Sequence, residues 1–194
     1  MAWFLGLMPG LLAGPVWADV FLIDPLHTSA QFAVSHLGFS TARGRFDKTD
    51  GRLELDLPAR KGQITVQLDA NSISTGDPDR DSRLKGSWFF NTERYPEIRF
   101  ISKRLVFVEE RLDAVEGELT LLGVTRPFSF KVERWRCGFH TMALRQACGA
   151  DLSGTLLRSD FGMKAFIPLV GDEVKIDVSV EALAEVVTPP ARER

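Results

Sequence analysis

Strict alternation of apolar and polar residues is the feature that most constrains the fold of this chain. In one segment Val174, Ile176, Val178, Val180 and Ala182 alternate with charged or polar residues. A period of two is the side-chain period of a β-strand, and it indicates antiparallel strands with one buried and one solvated face. About eight such segments, separated by turn signals, are spread over about 175 residues.

Long strands with one apolar face need a shared interior, and their edges are exposed unless the sheet closes. We therefore predict an all-β fold, an antiparallel up-and-down barrel of about eight strands, whose interior is either filled or holds one small ligand.

Residues near 77–90 break the alternation. We predict a short helix there, capped by Asp77 with Pro78 in its first turn. An aromatic plug, Trp88-Phe89-Phe90, is predicted to follow it.

Composition excludes some partners and leaves the interior open to two interpretations. Lys and Arg number 24 and Asp and Glu 26, so we expect no nucleic-acid partner, and no polybasic run is present to hold an anionic membrane. The 14 Phe outnumber 1 Tyr and 4 Trp, which is typical of an apolar core or cavity. Small inward residues, namely Ala30, Gly117, Gly154 and Ala182, leave room either for a slender guest or for neighbouring Phe rings.

The first 18 residues resemble a secretory signal peptide. Met1–Ala18 carries no charge, its apolar stretch is Trp3–Leu12, and Val16-Trp17-Ala18 suits signal peptidase. Cleavage is predicted after Ala18. The absence of Lys or Arg before the apolar stretch is atypical, and an uncleaved apolar strand is the alternative. Residues 19–187 are then expected to form one binding domain, with residues 188–194 as a frayed tail.

Cys137 and Cys148 are the only cysteines. In an oxidising compartment the pair would close a small loop, which stabilises by about 3 kcal/mol on the chain-entropy model. A zinc site would need further ligands, and His140 alone does not complete one. We predict a disulfide and no metal site.

No catalytic signature is present: the sequence has no Gly-x-Ser-x-Gly, phosphate loop, HExxH or dinucleotide fingerprint. His27 and His36 lie on or beside one strand and could together ligate a metal or haem, but two histidines without a third ligand are a weak pattern. His36 shares its face with apolar neighbours. It is expected to be either a buried core histidine or a contact for a polar head group at the barrel mouth.

A series of short sequence blocks, which also includes Gly51, occurs in order from about residue 21 to residue 181. They are Ile23-Asp24-Pro25-Leu26-His27-Thr28, Phe32-Ala33-Val34-Ser35-His36-Leu37-Gly38, Gly44-Arg45-Phe46, Ile73-Ser74-Thr75, Arg80-Asp81-Ser82-Arg83-Leu84, Phe89-Phe90, Tyr95-Pro96-Glu97-Ile98-Arg99-Phe100, Gly117-Glu118-Leu119-Thr120-Leu121-Leu122-Gly123-Val124-Thr125-Arg126-Pro127 and Arg158-Ser159-Asp160-Phe161-Gly162-Met163. Together these blocks resemble the YceI family of bacterial periplasmic lipid-binding proteins. The resemblance implies a lipocalin-like barrel that encloses a long amphiphile, a periplasmic location, no catalysis and no cofactor.

Two positions depart from the family pattern. Thr28 stands where the family usually has Ser, and Arg83 stands where it usually has His. If that position touches a head group, Arg83 would favour an anionic one. The resemblance thus makes His27 and Arg83 candidate head-group contacts. The pair Cys137 and Cys148 resembles the disulfide-containing subgroup of the family.

Arg158 ends an alternating strand at an inward position. A cation directed into an apolar barrel needs a carboxylate partner or the polar head of a ligand. The candidate carboxylates are Asp24, Asp81 and Asp160, and an ion pair is slightly favoured because the family motif keeps Arg and Asp together. The predicted ligand-binding residues are Phe32, Val34, His36, Phe46, Phe100, Leu119, Leu121, Phe128, Phe130, Arg158 and Phe161.

The sequence therefore predicts a non-catalytic periplasmic protein that encloses a polyisoprenoid, quinone-like lipid or fatty-acid derivative for transport, storage or stress response. An alternative is a redox accessory that carries quinone or haem for a membrane electron-transfer partner. A third interpretation is a solidly packed barrel that acts through its surface. A homodimer and transient contact with inner-membrane proteins stay open.

Overall fold

The computed structural model describes residues 18–186. The predicted signal peptide, apart from Ala18, and the predicted tail lie outside this range. The described residues form eleven strands and one α-helix, with the order β1 (Asp19–Ile23), β2 (Ser29–His36), β3 (Ser40–Phe46), β4 (Thr49–Asp56), β5 (Lys61–Asp69), β6 (Ile73–Ser74), α1 (Pro78–Lys85), β7 (Glu97–Val108), β8 (Arg111–Leu121), β9 (Val124–His140), β10 (Arg145–Leu157) and β11 (Val170–Ala184). No helix within residues 18–186 is both long and apolar enough to cross a membrane.

The strands close into an antiparallel barrel. β1 and β2 together form one interrupted stave of the barrel, and β3 and β4 form the adjacent one. β1 pairs with β4, and β2 pairs with β3. The remaining staves follow in the order β5, β7, β8, β9, β10 and β11, and β11 pairs with both β2 and β1 to complete the circle. Eight staves result, and the predicted all-β, lipocalin-like barrel with one helix is confirmed.

Apolar residues of the staves meet inside the barrel. One cluster packs at the end that holds the β9–β10 turn, and we call this end the base. Its buried members are Phe21, Ile23, Leu53, Leu55, Cys148 and Ala182. Leu55 and Ala182 are almost completely inaccessible to solvent, so the base is sealed by close packing.

Helix α1 begins as the sequence predicts. The Asp77 carboxylate accepts hydrogen bonds from the backbone N–H groups of Asp79 and Arg80, and Pro78 occupies the first turn. The helix ends at Lys85, before the predicted aromatic plug. Phe90 then packs into the barrel, with its ring 5.5 Å from that of Phe46, edge to face. Trp88 does not join the plug, because its side chain is exposed.

Two of the small inward residues, both glycines, show whether such positions make room for a guest or for neighbouring Phe rings. A Cβ atom on Gly117 would lie 2.8 Å from the Phe100 ring, and one on Gly154 would lie 2.7 Å from the Phe128 ring. These two glycines therefore make room for phenylalanine rings rather than for a guest.

The predicted disulfide is present. Cys137 on β9 faces Cys148 on β10 in register, and the two Cα atoms are 4.1 Å apart. The bridge joins neighbouring staves and is part of the apolar cluster at the base. It therefore stabilises the end of the barrel that carries the longest hairpin.

The double variant Cys137→Ala/Cys148→Ala is expected to lower the free energy of unfolding by about 2–3 kcal/mol, because it releases a short loop in the unfolded chain. Urea denaturation of the oxidised protein measures the change. Dithiothreitol should destabilise the unaltered protein by a similar amount and leave the double variant unchanged. Equal stability of the double variant and the oxidised protein would contradict this.

Candidate functional site

The barrel encloses a cavity of about 220 Å³. Its wall takes side chains from every stave and is almost wholly apolar. The end opposite the base, which we call the mouth, is formed by three segments: the β2–β3 turn, the last turn of α1 with the residues that follow it, and the turn that follows β10. Leu84, Phe89 and Phe90 from the second segment and Met163 from the third reach the cavity wall.

Eight of the eleven predicted ligand-binding residues line this cavity. They are Phe32, Val34, Phe46, Phe100, Leu119, Leu121, Phe130 and Arg158. Alternation along the strands placed them correctly on the inner face. Their contact with a ligand stays a prediction.

His36, Phe128 and Phe161 are not part of the cavity wall. His36 is the last residue of β2 and is exposed, so the prediction that it is a buried core histidine is wrong. Its contact with a polar head group at the mouth stays a prediction. Phe128 points inward but its ring covers Gly154 and packs against Phe130. Phe161 is buried in the turn after β10, where it belongs to the packed core.

The two predicted head-group residues also lie outside the cavity wall. Arg83 is exposed on α1. His27 is exposed and its Nδ1 lies 2.9 Å from an oxygen of Asp24. This hydrogen bond raises the pKa of His27 and lowers the pKa of Asp24. His27 is thus occupied by a local surface interaction.

The structure separates the two histidines that were candidate haem or metal ligands. His27 precedes β2 and His36 ends it, and eight residues of strand span roughly 25 Å at about 3.3 Å per residue. One metal or haem iron cannot bind both side chains. Residues 18–186 also contain no group of three His, Cys, Asp or Glu side chains that could hold a metal ion.

Several wall residues were not among the predicted contacts. Some follow from the same alternation, as in Ile64, Val66 and Leu68 on β5 or Val174, Ile176 and Val178 on β11. Others, Phe89, Phe90 and Met163, come from irregular segments. Strand periodicity carries no information about the direction of such side chains.

Arg158 is the one charged residue of the cavity wall among the described residues, and it is only 3% exposed. Its guanidinium donates hydrogen bonds to four backbone carbonyls. Nε donates to Gly171 at 2.8 Å, Nη1 to Met163 at 3.0 Å, and Nη2 to Ala165 at 2.8 Å and Val170 at 2.9 Å. Arg158 therefore ties the whole turn after β10 to the start of β11.

The predicted ion pair of Arg158 with Asp24, Asp81 or Asp160 is wrong. Asp24 contacts His27, Asp81 accepts from Thr75, and Asp160 is exposed. The strand ends at Leu157 and the chain turns through a 3-10 helix, Arg158–Phe161. Because the extended conformation stops there, Arg158 and Asp160 do not share a face.

The charge of Arg158 is instead offset by main-chain dipoles and by a more distant carboxylate. Burial lowers the pKa of Arg158, and Asp172 opposes that shift. Asp172 accepts hydrogen bonds from the hydroxyl and the backbone N–H of Ser159, at 2.7 and 2.9 Å. These bonds lower the pKa of Asp172. One Nη1 N–H of Arg158 has no acceptor among the described residues.

Thr49 is a polar wall residue that sequence reasoning missed. It begins β4 and is buried, and its hydroxyl has no hydrogen-bond partner among the described residues. An unpaired buried hydroxyl is unfavourable. Besides Arg158, the wall therefore contains a buried hydroxyl that has no partner among the described residues.

A family model described as "YceI-like domain" matches residues 21–182. The chain belongs to the YceI family. A UPF0312 protein of Shewanella denitrificans is 31% identical over 184 residues, which cover 90% of this chain and 93% of the relative.

Solved structures with this fold resemble the chain over most of its length. Burkholderia cenocepacia BcnA has a TM-score of 0.68 at 21% identity and covers 82% of this chain and 98% of its own. A polyisoprenoid-binding domain from Saccharophagus degradans, implicated in plant cell wall breakdown, has a TM-score of 0.64 at 18% identity and covers 87% and 99%. At these identities the likeness shows a shared YceI-like fold.

Replacing Arg158 tests whether it organises the mouth of this YceI-family barrel. Arg158→Met is expected to lower the free energy of unfolding by about 3 kcal/mol or more, because four carbonyls lose a charged donor. Arg126→Met is the control, since Arg126 is exposed and donates one bond, to the Asp160 carbonyl at 3.3 Å. The control should change stability by less than about 0.5 kcal/mol. Equal effects of the two variants in urea denaturation would contradict a structural role for Arg158.

Thr49→Val keeps the side-chain shape and removes the unpaired hydroxyl. In the lipid-free protein it is expected to leave the free energy of unfolding unchanged or to raise it by about 1 kcal/mol. Thr75→Val is the matched control, because the Thr75 hydroxyl donates to Asp81 at 2.6 Å. The control should lose about 1 kcal/mol. Equal losses in both variants would mean that the Thr49 hydroxyl has a partner.

Proposed function

We propose that this protein is a non-catalytic binding protein that encloses the long apolar chain of an amphiphile in its barrel. The ligand class is a polyisoprenoid, a quinone-like lipid or a fatty-acid derivative. The observation that carries the proposal is an enclosed cavity with a nearly wholly apolar wall. Such a wall removes an apolar chain from water, which is favourable by about 0.8 kcal/mol for each buried methylene.

The cavity volume of about 220 Å³ lies below the roughly 300–1,000 Å³ of pockets for compact small molecules. A long amphiphile would therefore place only part of its apolar chain in this space. The polyisoprenoid-binding domain of Saccharophagus degradans, which shares the fold, supports the same ligand class.

The two ends of the barrel favour one orientation of the ligand. The base is closed by tightly packed side chains, whereas irregular segments surround the mouth. Arg158 lies in the wall where the turn after β10 begins, with one N–H directed to no protein acceptor among the described residues. We infer that the apolar chain points to the base and that the polar head lies near Arg158, which favours a head with oxygen acceptors.

The composition of the wall supports binding rather than catalysis. Within residues 18–186 the wall contains no His, Cys, Asp or Glu. These side chains are the usual general acids, general bases and nucleophiles. A ligand in this cavity meets apolar groups, Arg158 and a few neutral polar side chains.

We further propose that the chain is exported to the periplasm and acts there in transport, storage or stress response. The predicted signal peptide supports export. The disulfide supports an oxidising compartment, because such bonds persist there. The redox alternative no longer rests on a haem held by both His27 and His36, because the two side chains lie too far apart to share one iron.

Identification of the bound lipid tests the proposal. Protein purified gently from the periplasm is expected to carry a lipid-sized adduct in native mass spectrometry, and extraction should release a prenyl or acyl lipid. Delipidated protein should take up fatty acids with affinity that rises about fourfold for each added methylene until the cavity is full. A clean lipid-free mass together with no uptake of prenyl or acyl lipids would contradict the proposal.

A matched pair of variants locates the binding in the cavity. Ala30→Leu adds bulk to the cavity wall, whereas Ala33→Leu adds the same bulk to the other face of β2. The first is expected to shorten the longest chain that binds, and the second to leave the chain-length profile unchanged. Identical profiles for both variants would place the lipid outside the barrel.

A further inference from the structure

The mouth of the barrel carries an exposed apolar rim. We define this rim as Leu37, Phe39, Trp88, Phe166, Ile167 and Leu169. Phe39 is 92% exposed and Trp88 is 67% exposed. Soluble monomers rarely expose contiguous apolar patches of this kind unless something binds there.

Direct contacts join four of the six rim residues in two pairs, Trp88 with Phe166 and Leu37 with Leu169. The ring of Phe166 stacks on Trp88 at 5.7 Å and on Phe89 at 6.0 Å. The backbone N–H of Leu37 donates to the carbonyl of Leu169 at 2.7 Å, which holds the β2–β3 turn against the turn after β10. Because Phe89 also lines the cavity, the apolar surface continues from the rim into the barrel.

The three segments that carry the rim contain charged residues of one sign, and Asp160 and Asp172 flank the third segment. These segments, residues 36–40, 83–92 and 161–171, contain Arg83, Lys85 and Lys164 and no Asp or Glu. None of these three cations forms an ion pair within residues 18–186. The acidic residues of α1 lie in its first turn, whereas Arg83 and Lys85 lie in the last turn, shortly before Trp88.

We propose that the rim docks on a bilayer surface that contains anionic phospholipids. The apolar side chains enter the interface, where a tryptophan such as Trp88 is favoured, and the three cations attract the head groups. An amphiphile would then pass between bilayer and cavity along Phe89 and Phe166. This inference deepens the proposed function, on which it rests.

Vesicle sedimentation tests the docking surface. The purified protein is mixed with phosphatidylcholine vesicles, with and without phosphatidylglycerol, at low and at high salt. Binding is expected to need phosphatidylglycerol and to weaken as salt rises, because salt screens the cations. Vesicle binding of equal strength with and without phosphatidylglycerol, and at low and high salt, would overturn the proposal.

Paired variants distinguish vesicle binding through the rim from nonspecific binding through any exposed apolar side chain. Phe39→Ser/Trp88→Ser removes two rim side chains and is expected to weaken vesicle binding about tenfold or more. Phe139→Ser/Met142→Ser is the control, because these side chains are 60% and 89% exposed at the base. It should change binding by less than about twofold. Equal losses in both variants would overturn the proposal.

The cations have their own matched control. Arg83→Gln/Lys164→Gln is expected to weaken binding to anionic vesicles by about fivefold for each charge removed. Lys61→Gln/Arg136→Gln removes the same charge from other exposed positions and should have a much smaller effect.

A second copy of the chain is the competing occupant of the rim. A dimer in sedimentation velocity that dissociates in Phe39→Ser/Trp88→Ser, without vesicle binding by the unaltered protein, would overturn membrane docking.

Lipid uptake from detergent distinguishes this proposal from the proposed function. Phe39→Ser/Trp88→Ser should take up a fatty acid from detergent as the unaltered protein does, because these two residues are not part of the cavity wall. Uptake from detergent without any vesicle binding would overturn docking alone. Vesicle binding without uptake would overturn the proposed function and leave the docking surface in place.

Discussion

Closure of the barrel between β1 and β11 is the constraint on which the rest of the structure depends. The pairs Phe21↔Ala184 and Ile23↔Ala182 join the first and last strands, so every stave has two neighbours and no long edge is left open. A closed sheet directs all the apolar faces to one interior. The side chains fill that interior at the base and leave a cavity above it.

The mouth depends on a second interaction, which is polar. The Arg158 guanidinium donates hydrogen bonds to four backbone carbonyls of residues 163–171. These bonds hold an irregular turn in one conformation without strand pairing. A buried cation with several acceptors is costly to replace by an apolar group, because the carbonyls would lose their donor. The same turn carries Phe166 and Leu169, so the position of the rim depends on this buried guanidinium.

Sequence reasoning succeeded where side-chain direction follows from strand periodicity. Phe32, Phe130 and Leu119 were assigned to the inner face because each lies in the middle of an alternating strand. It failed where the strand ends. His36 lies at the end of β2 and is exposed, so extending the alternation to it was wrong. Arg158 does reach the cavity wall, but it begins a 3-10 turn and its predicted carboxylate partner was wrong. The carbonyl partners of Arg158 lie 5 to 13 residues further along the chain, and no side-chain pattern marks a backbone acceptor.

The sequence by itself determined the strand faces, the disulfide and the YceI family, because these follow from local periodicity, from the cysteine count and from blocks that can be read in order. The tertiary structure alone decided which residues meet at the mouth. Arg83, Lys85 and Lys164 form no run in the chain, yet the three mouth segments bring cations of one sign to one apolar rim. The physical reason is that turns have no periodicity of their own, and non-local contacts such as the stacking of Trp88 on Phe166 set their positions.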